Sequence, residues 1–182
     1  MSQTPIKERH FRFGGGITID GHIDSTQRIF VAKGLTYLKD STERGESLRL
    51  FAGTFHNTPA RFGVYFIKNT GLVYRITVNM DYNDKQQTLK AYEQLRSQLV
   101  KQYERNGYCV VWDGEMVLDG KSYDAFPQFY ISVKRDKNSR YCLPDLIYGS
   151  VILSIKERKY KGTTFYRLSI GYTDQINYEK VP

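Results

Sequence analysis

Between Asp84 and Asn106, Leu89, Tyr92, Leu95, Leu99 and Tyr103 recur three or four residues apart, the spacing that places side chains on one face of an α-helix. Asp84 with Gln87 three residues on forms a capping-box start, and Asn106-Gly107 supplies the left-handed residue that ends a helix. A helix with one apolar stripe has to lie against something. A shorter helix is expected from Asp24 or Ser25, carrying Ile29, Phe30 and Val31 and stopping near Gly34, with Asp24 and Gln27 repeating the box.

After each helix the period changes to two, the spacing of a strand with one buried face. The first set of strands is read as Leu48 to Phe55, Arg61 to Lys68 and Leu72 to Met80, the last two joined by the hairpin loop Asn69-Thr70-Gly71. The second set is Tyr108 to Trp112, Gln128 to Lys134, Ser150 to Lys156 and Thr164 to Tyr172. Tyr74-Arg75-Ile76-Thr77-Val78 matches Tyr166-Arg167-Leu168-Ser169-Ile170 at an offset of 92 residues, which suggests a helix-plus-strands unit occurring twice, over about 17–82 and 83–178. The expected fold is α+β: one domain over 1–182 with a curved antiparallel meander of about six to eight strands and both helices on one face. Leu72, Tyr74, Ile76, Val78, Phe129, Ile131, Val133, Leu153, Leu168 and Ile170 are then expected against Leu89, Tyr92, Leu95 and Leu99.

A chain of 182 residues, 40% hydrophobic and 25% charged, can bury a core without disulfides, and no apolar run approaches the roughly 20 residues of a membrane span. It is read as soluble. Cys109 and Cys142 are too few for a zinc site, and one pair does not distinguish a bridge from two thiols. The N-terminal MSQTPIKERH has no apolar core of a signal peptide. Of the net charge of +8, only KRDKNSR (Lys134 to Arg140) and KERKYK (Lys156 to Lys161) are local concentrations, each containing an acid, and both are read as solvated turns.

Chemistry-bearing motifs are sparse. Gly14 to Gly16 is followed by Ile17-Thr18-Ile19, a strand where a phosphate loop would open a helix, so it reads as a bend. Asp20, His22 and Asp24 stand at alternate positions and could point one way, which makes a metal-assisted hydrolase the enzymatic alternative. Against it, no ligand-pair motif accompanies them and Asp24 serves as the helix cap. Neither a nucleophile elbow nor a cysteine signature is present, so no catalytic residue and no cofactor are assigned. Nucleic-acid binding is a further alternative, because RFGVYFIK (Arg61 to Lys68) has the aromatic-basic character of an RNA-stacking strand; Tyr65 falls on the face opposite Phe62, Val64 and Phe66, however, and the match is poor.

The order FGGGITIDG, short helix, Gly-containing strands, LKAYEQLRSQLVKQYERNGY and YRLSIGYTDQIN resembles a group of small uncharacterised proteins of Bacteroides-type gut bacteria, many of them exported. The tandem helix-plus-meander layout is similar to that of the β-lactamase inhibitory protein fold. The first resemblance implies a periplasmic or secreted location in the cell envelope. The second implies protein binding through a sheet and supplies no catalytic residue. From the strand alternation, Tyr65, Arg75, Thr77, Tyr130, Arg167 and Ser169 should share the face turned away from the helices. Aromatic and arginine side chains are the types enriched at binding hot spots. The function expected is therefore a non-catalytic binding module for a protein or an envelope polymer.

Overall fold

Three hairpin turns of two residues each set the register of the sheet: Arg44-Gly45 (φ 50° and 87°), His56-Asn57 (47° and 62°) and Lys161-Gly162 (48° and 81°). Two consecutive left-handed residues make the turn whose twist matches that of the strands it joins. The computed structural model describes residues 12–13, 17–19, 21–105, 109–110, 114–115, 128–134 and 147–182. Its strands are β1 (Arg12–Phe13), β2 (Ile17–Thr18), β3 (Thr36–Glu43), β4 (Glu46–Phe55), β5 (Thr58–Phe66), β6 (Val73–Tyr82), β7 (Cys109–Val110), β8 (Gly114–Glu115), β9 (Gln128–Lys134), β10 (Ile147–Tyr160) and β11 (Thr163–Asp174). Its helices are α1 (Ile23–Ala32), α2 (Lys85–Arg105) and α3 (Gln175–Tyr178).

The fold is α+β, an open antiparallel sheet in meander order. Apart from the small β1–β2 pair, the strands run β3-β4-β5-β6-β11-β10-β9-β7, with β8 beside β9. The two meanders meet where β6 pairs with β11 from Arg75↔Thr173 to Tyr82↔Tyr166. At the middle of that ladder Val78 faces Ile170, two residues separated by the 92-residue offset read from the sequence. A local two-fold through this pair exchanges Arg75 with Arg167 and Asp81 with Thr173. Strand β3 was missed in the sequence because its eight residues, TYLKDSTE, are almost all exposed and carry no alternation. Whether Cys109 and Cys142 pair, which the sequence leaves open, turns on Cys142, which lies outside the described residues, as do Gly14 to Gly16.

Helices α1 and α2 lie on one side. Phe30 of α1 meets Phe51 and Phe62 edge-on at centroid distances of 5.1 and 6.1 Å, and Tyr92, Leu95 and Leu99 of α2 are buried with Ile76, Val78, Met80, Val151, Leu153, Leu168 and Ile170. Asp84 caps α2, its carboxylate accepting from the Gln87 N–H at 2.6 Å. No helix among the described residues is long and apolar enough to cross a membrane. Helix α1 begins one residue earlier than expected and is capped by His22, whose Nδ1 accepts from the Asp24 N–H at 3.2 Å. Asp24 and Gln27 do not form a capping box; both accept from Nη1 of Arg49, at 2.9 and 2.8 Å. The same guanidinium forks onto Asp40 at 2.7 and 3.0 Å. Arg49 thus ties α1 to strands β3 and β4 with only 14% of its side chain exposed. Of the expected apolar trio in α1 only Phe30 is buried, while Ile29 and Val31 are exposed.

Strand β6 departs from strict alternation at one place. Tyr65 pairs with Arg75 but Phe66 pairs with Val73, so Tyr74 is an extra residue, a β-bulge. Val73 and Ile76 both enter the helix-side core, and Tyr74 crosses to the other face with Leu48 and Tyr65. The expectation that Tyr74 packs under α2 is corrected by this bulge, since one inserted residue inverts the faces. Tyr166 does pack against the helix-side core, as alternation requires. The side chains of Phe129, Ile131 and Val133 lie outside the described residues.

Arg49 generates two predictions. Arg49→Ala should lower the unfolding free energy by about 1–3 kcal/mol in urea titrations, the partial exposure of its carboxylate partners holding the figure below that of a fully buried pair. Separately, the Arg49 hydrogen bond, helped by the charge of His22, holds the Asp24 carboxyl below its ordinary value of 3.8. A folded-state value below the unfolded one stabilises the fold above 3.8 and is lost as the pH falls through the folded value. Asp24→Asn should therefore melt below wild type at about pH 6 and converge with it at about pH 2. A gap that persists undiminished in acid would rule out this pair as its source.

Candidate functional site

The face turned away from α1 and α2 is built from β4, β5, β6, β11 and β10, and cross-strand register fixes what stands beside what. One row runs Leu50, Gly63, Thr77, Gly171, Ile152, Tyr130, and the next runs Arg61, Asn79, Ser169, Ser154, Gln128. Tyr65, Arg75, Thr77, Arg167 and Ser169 thus share this face, and Tyr130 joins it by register, its side chain lying outside the described residues. These residues do not form one continuous open platform. They separate into a closed cluster at one end and an open cleft at the other.

The closed cluster centres on Arg75. Its guanidinium carbon stands 5.4, 5.7 and 5.5 Å from the ring centroids of Tyr65, Tyr74 and Tyr178, within the range of cation–π attraction. Glu43 and Glu46 flank the β3–β4 turn directly opposite each other, a repulsive arrangement in isolation. Three donors relieve it: the Tyr65 hydroxyl donates to Glu43 at 2.6 Å, the Tyr74 hydroxyl to Glu46 at 2.8 Å, and Arg75 to Glu46 at 3.4 Å. Burial first, and the neighbouring carboxylate second, push both phenols above their ordinary value. Tyr65 is only 8% exposed, and Val181 near the C-terminus packs against it and its neighbours. Tyr65 and Arg75 are therefore structural as placed.

Midway along the face, Thr77 sits between Gly63 and Gly171, and Ser169 donates to Asn79 at 2.7 Å. The face is at its lowest here. A Cβ added to Gly63 would come within 2.8 Å of the Thr77 hydroxyl and 3.3 Å of Leu48, so glycine is required by the close approach of Thr77.

At the far end the β10–β11 hairpin runs past its neighbours: pairing with β9 ends at Ser154, and pairing with β6 ends at Tyr166. Beyond those limits it is, among the described residues, a two-stranded ribbon. The cleft beside it encloses about 960 Å³ and is lined by Arg61, Asp81, Asn83, the ribbon residues Arg158 to Lys161 and Thr163, Phe165 and Arg167. Arg167 forks onto Asp81 at 2.7 and 2.8 Å, which raises the arginine's pKa, the hydrogen bond to Asp81 being the main cause. Lys156 lies directly across from Arg167 on β10; like charges in that position are destabilising, and Asp81 offsets only one. Arg61, Arg158 and Lys161 make no ion pair among the described residues, and Lys159 has a loose one to Glu157 at 3.9 Å.

Arg61, Asp81, Arg158, Tyr160, Lys161 and Phe165 were missed in the sequence reading. The signal was present: Lys156, Arg158 and Tyr160 continue the alternation of β10 up to the Lys161-Gly162 turn. Reading KERKYK as a solvated turn ended the strand too early.

The alternative metal site is arranged for other work. The His22 imidazole caps α1 and backs onto Gly71, leaving no room there for a side chain. Asp24 serves Arg49, and Asp20 lies outside the described residues. Among the described residues no three His, Cys, Asp or Glu side chains gather as a metal site.

The Gly63–Thr77 contact predicts non-additive stability. Gly63→Ala should cost about 1–3 kcal/mol, Thr77→Ala in the same chain should return part of it, and Thr77→Ser, which keeps the hydroxyl, should return little. Strict additivity in urea unfolding would contradict the contact. Compared with known family models, curated proteins and solved structures, the chain finds no match, so the character of this face rests on its own geometry.

Proposed function

We propose that the protein is a non-catalytic binding module that takes a polyanionic partner on the face turned away from α1 and α2, in the cleft beside the β10–β11 ribbon. The observation that carries this reading is charge. Five cationic side chains, Arg61, Arg158, Lys159, Lys161 and Arg167, line the cleft against one acid, Asp81. A concave surface of one sign concentrates field and draws in the opposite charge. The cleft asks for a partner with closely spaced anions, whether the protein or envelope polymer expected from the sequence or the nucleic acid given there as an alternative. Arg167 contributes mainly by orienting Asp81 and keeping it from the ligand, while Arg61, Arg158 and Lys161 are available for direct contact.

The test is a titration with heparin, a generic polyanion, at several salt concentrations. Binding should weaken steeply with salt, because each neutralised anion releases a counterion. Arg158→Glu with Lys161→Glu should weaken it by about tenfold or more, the loss of two charge contacts. Lys90→Glu with Lys101→Glu changes net charge equally but lies on exposed positions of α2, and should have little effect. Equal weakening by both pairs would mean that only overall charge matters, and the cleft would lose its role.

A further inference from the structure

We infer that the polyanion is single-stranded nucleic acid, its bases stacked on Tyr160 and Phe165 and its phosphates met by Arg61, Arg158 and Lys161. This inference rests on the polyanion reading above and goes beyond it on one observation: the cleft contains aromatic rings that neither charge binding nor the fold requires. Tyr160 is 66% exposed, the most exposed of the large hydrophobic side chains among the described residues. Phe165 belongs to neither buried cluster nor the residues packed against them. Both line the cleft.

Their placement suits an extended strand. Arg158 pairs with Phe165 and Tyr160 with Thr163, so Tyr160 and Phe165 are diagonal neighbours, about 7 Å apart at the ribbon surface. Each ring also has a cation over one of its faces: Lys161 Nζ is 5.4 Å from the Tyr160 centroid, and the Arg167 guanidinium is 5.7 Å from that of Phe165. A base stacked on either ring brings its phosphate toward a positive charge. Rings interleaved with cations along a groove are the pattern that holds single strands without reading sequence.

Competing partners fit less well. In a duplex the base faces are covered by their neighbours, so the rings would have nothing to stack on. A protein partner would be expected to meet a surface depleted in lysine, whereas this cleft has Lys159 and Lys161 at its lip. An acidic polysaccharide would use the charges but has no flat aromatic base for the rings.

The experiment measures fluorescence anisotropy of a labelled oligothymidylate of about 12 nucleotides, alongside a duplex of equal length, heparin and polyglutamate. The oligothymidylate should bind more tightly than the duplex. Tyr160→Ala should weaken it by about tenfold and Tyr160→Phe should restore it, because stacking needs the ring and not the hydroxyl. Phe165→Leu, which keeps apolar bulk without an aromatic face, should also weaken it, while heparin affinity changes by less than about twofold in all three variants. Tyr160 is exposed enough that its removal should leave the melting temperature unchanged, which separates loss of binding from loss of fold. Heparin binding with an oligothymidylate affinity indifferent to both rings, or with tighter duplex or polyglutamate binding, would overturn the nucleic-acid inference and leave the polyanion reading standing. Failure to bind any of the four ligands would overturn both.

Discussion

The β6–β11 ladder is the joint on which the rest depends. Among the described residues it is the only pairing that connects the meander after α1 with the one after α2, and it holds Asp81 beside Arg167 and Asn79 beside Ser169. On its helix side Val78, Ile170, Met80 and Leu168 are buried, so the apolar burial that fixes register on one face positions polar pairs on the other. Sliding the ladder by one residue would turn both sets over. The cleft is therefore a by-product of core packing and is specified as firmly as the core.

Much of this architecture was legible. The period-four stripe of α2 located the helix to within a residue at its start, and alternation located β4, β5, β6, β9, β10 and β11, because each has one face that must be buried. Reading failed where that pressure was absent. Strand β3 has no buried face to impose alternation, α3 is a single turn, and the bulge at Tyr74 inverts a pattern that otherwise appears regular. A bulge depends on the partner strand's register, which no local pattern in β6 records.

The candidate face was legible in composition but not in state. Tyr65, Arg75, Thr77, Arg167 and Ser169 do share it, yet Arg75 is held by Glu46 of β4, two strands away, and Arg167 by Asp81 of the adjoining β6. Strand alternation tells which way a side chain leaves the backbone; it does not say what meets it. Glu46 reaches Arg75 from 29 positions away and Asp81 reaches Arg167 from 86 away. Of the cations without such partners, Arg158 and Lys161 lie where the sequence reading placed a turn.

The overhanging ribbon separates two kinds of inheritance in the chain. Because no third strand among the described residues lies beside its outer residues, two residues added to each arm would extend the cleft wall by about 7 Å and keep every inward and outward side chain in place. A single residue added to one arm would instead exchange the ribbon's faces or force another bulge. Insertions and deletions tolerated at the Lys161-Gly162 tip should thus come in matched pairs. The footprint on a partner can then lengthen or shorten in steps while the sheet beneath is unchanged.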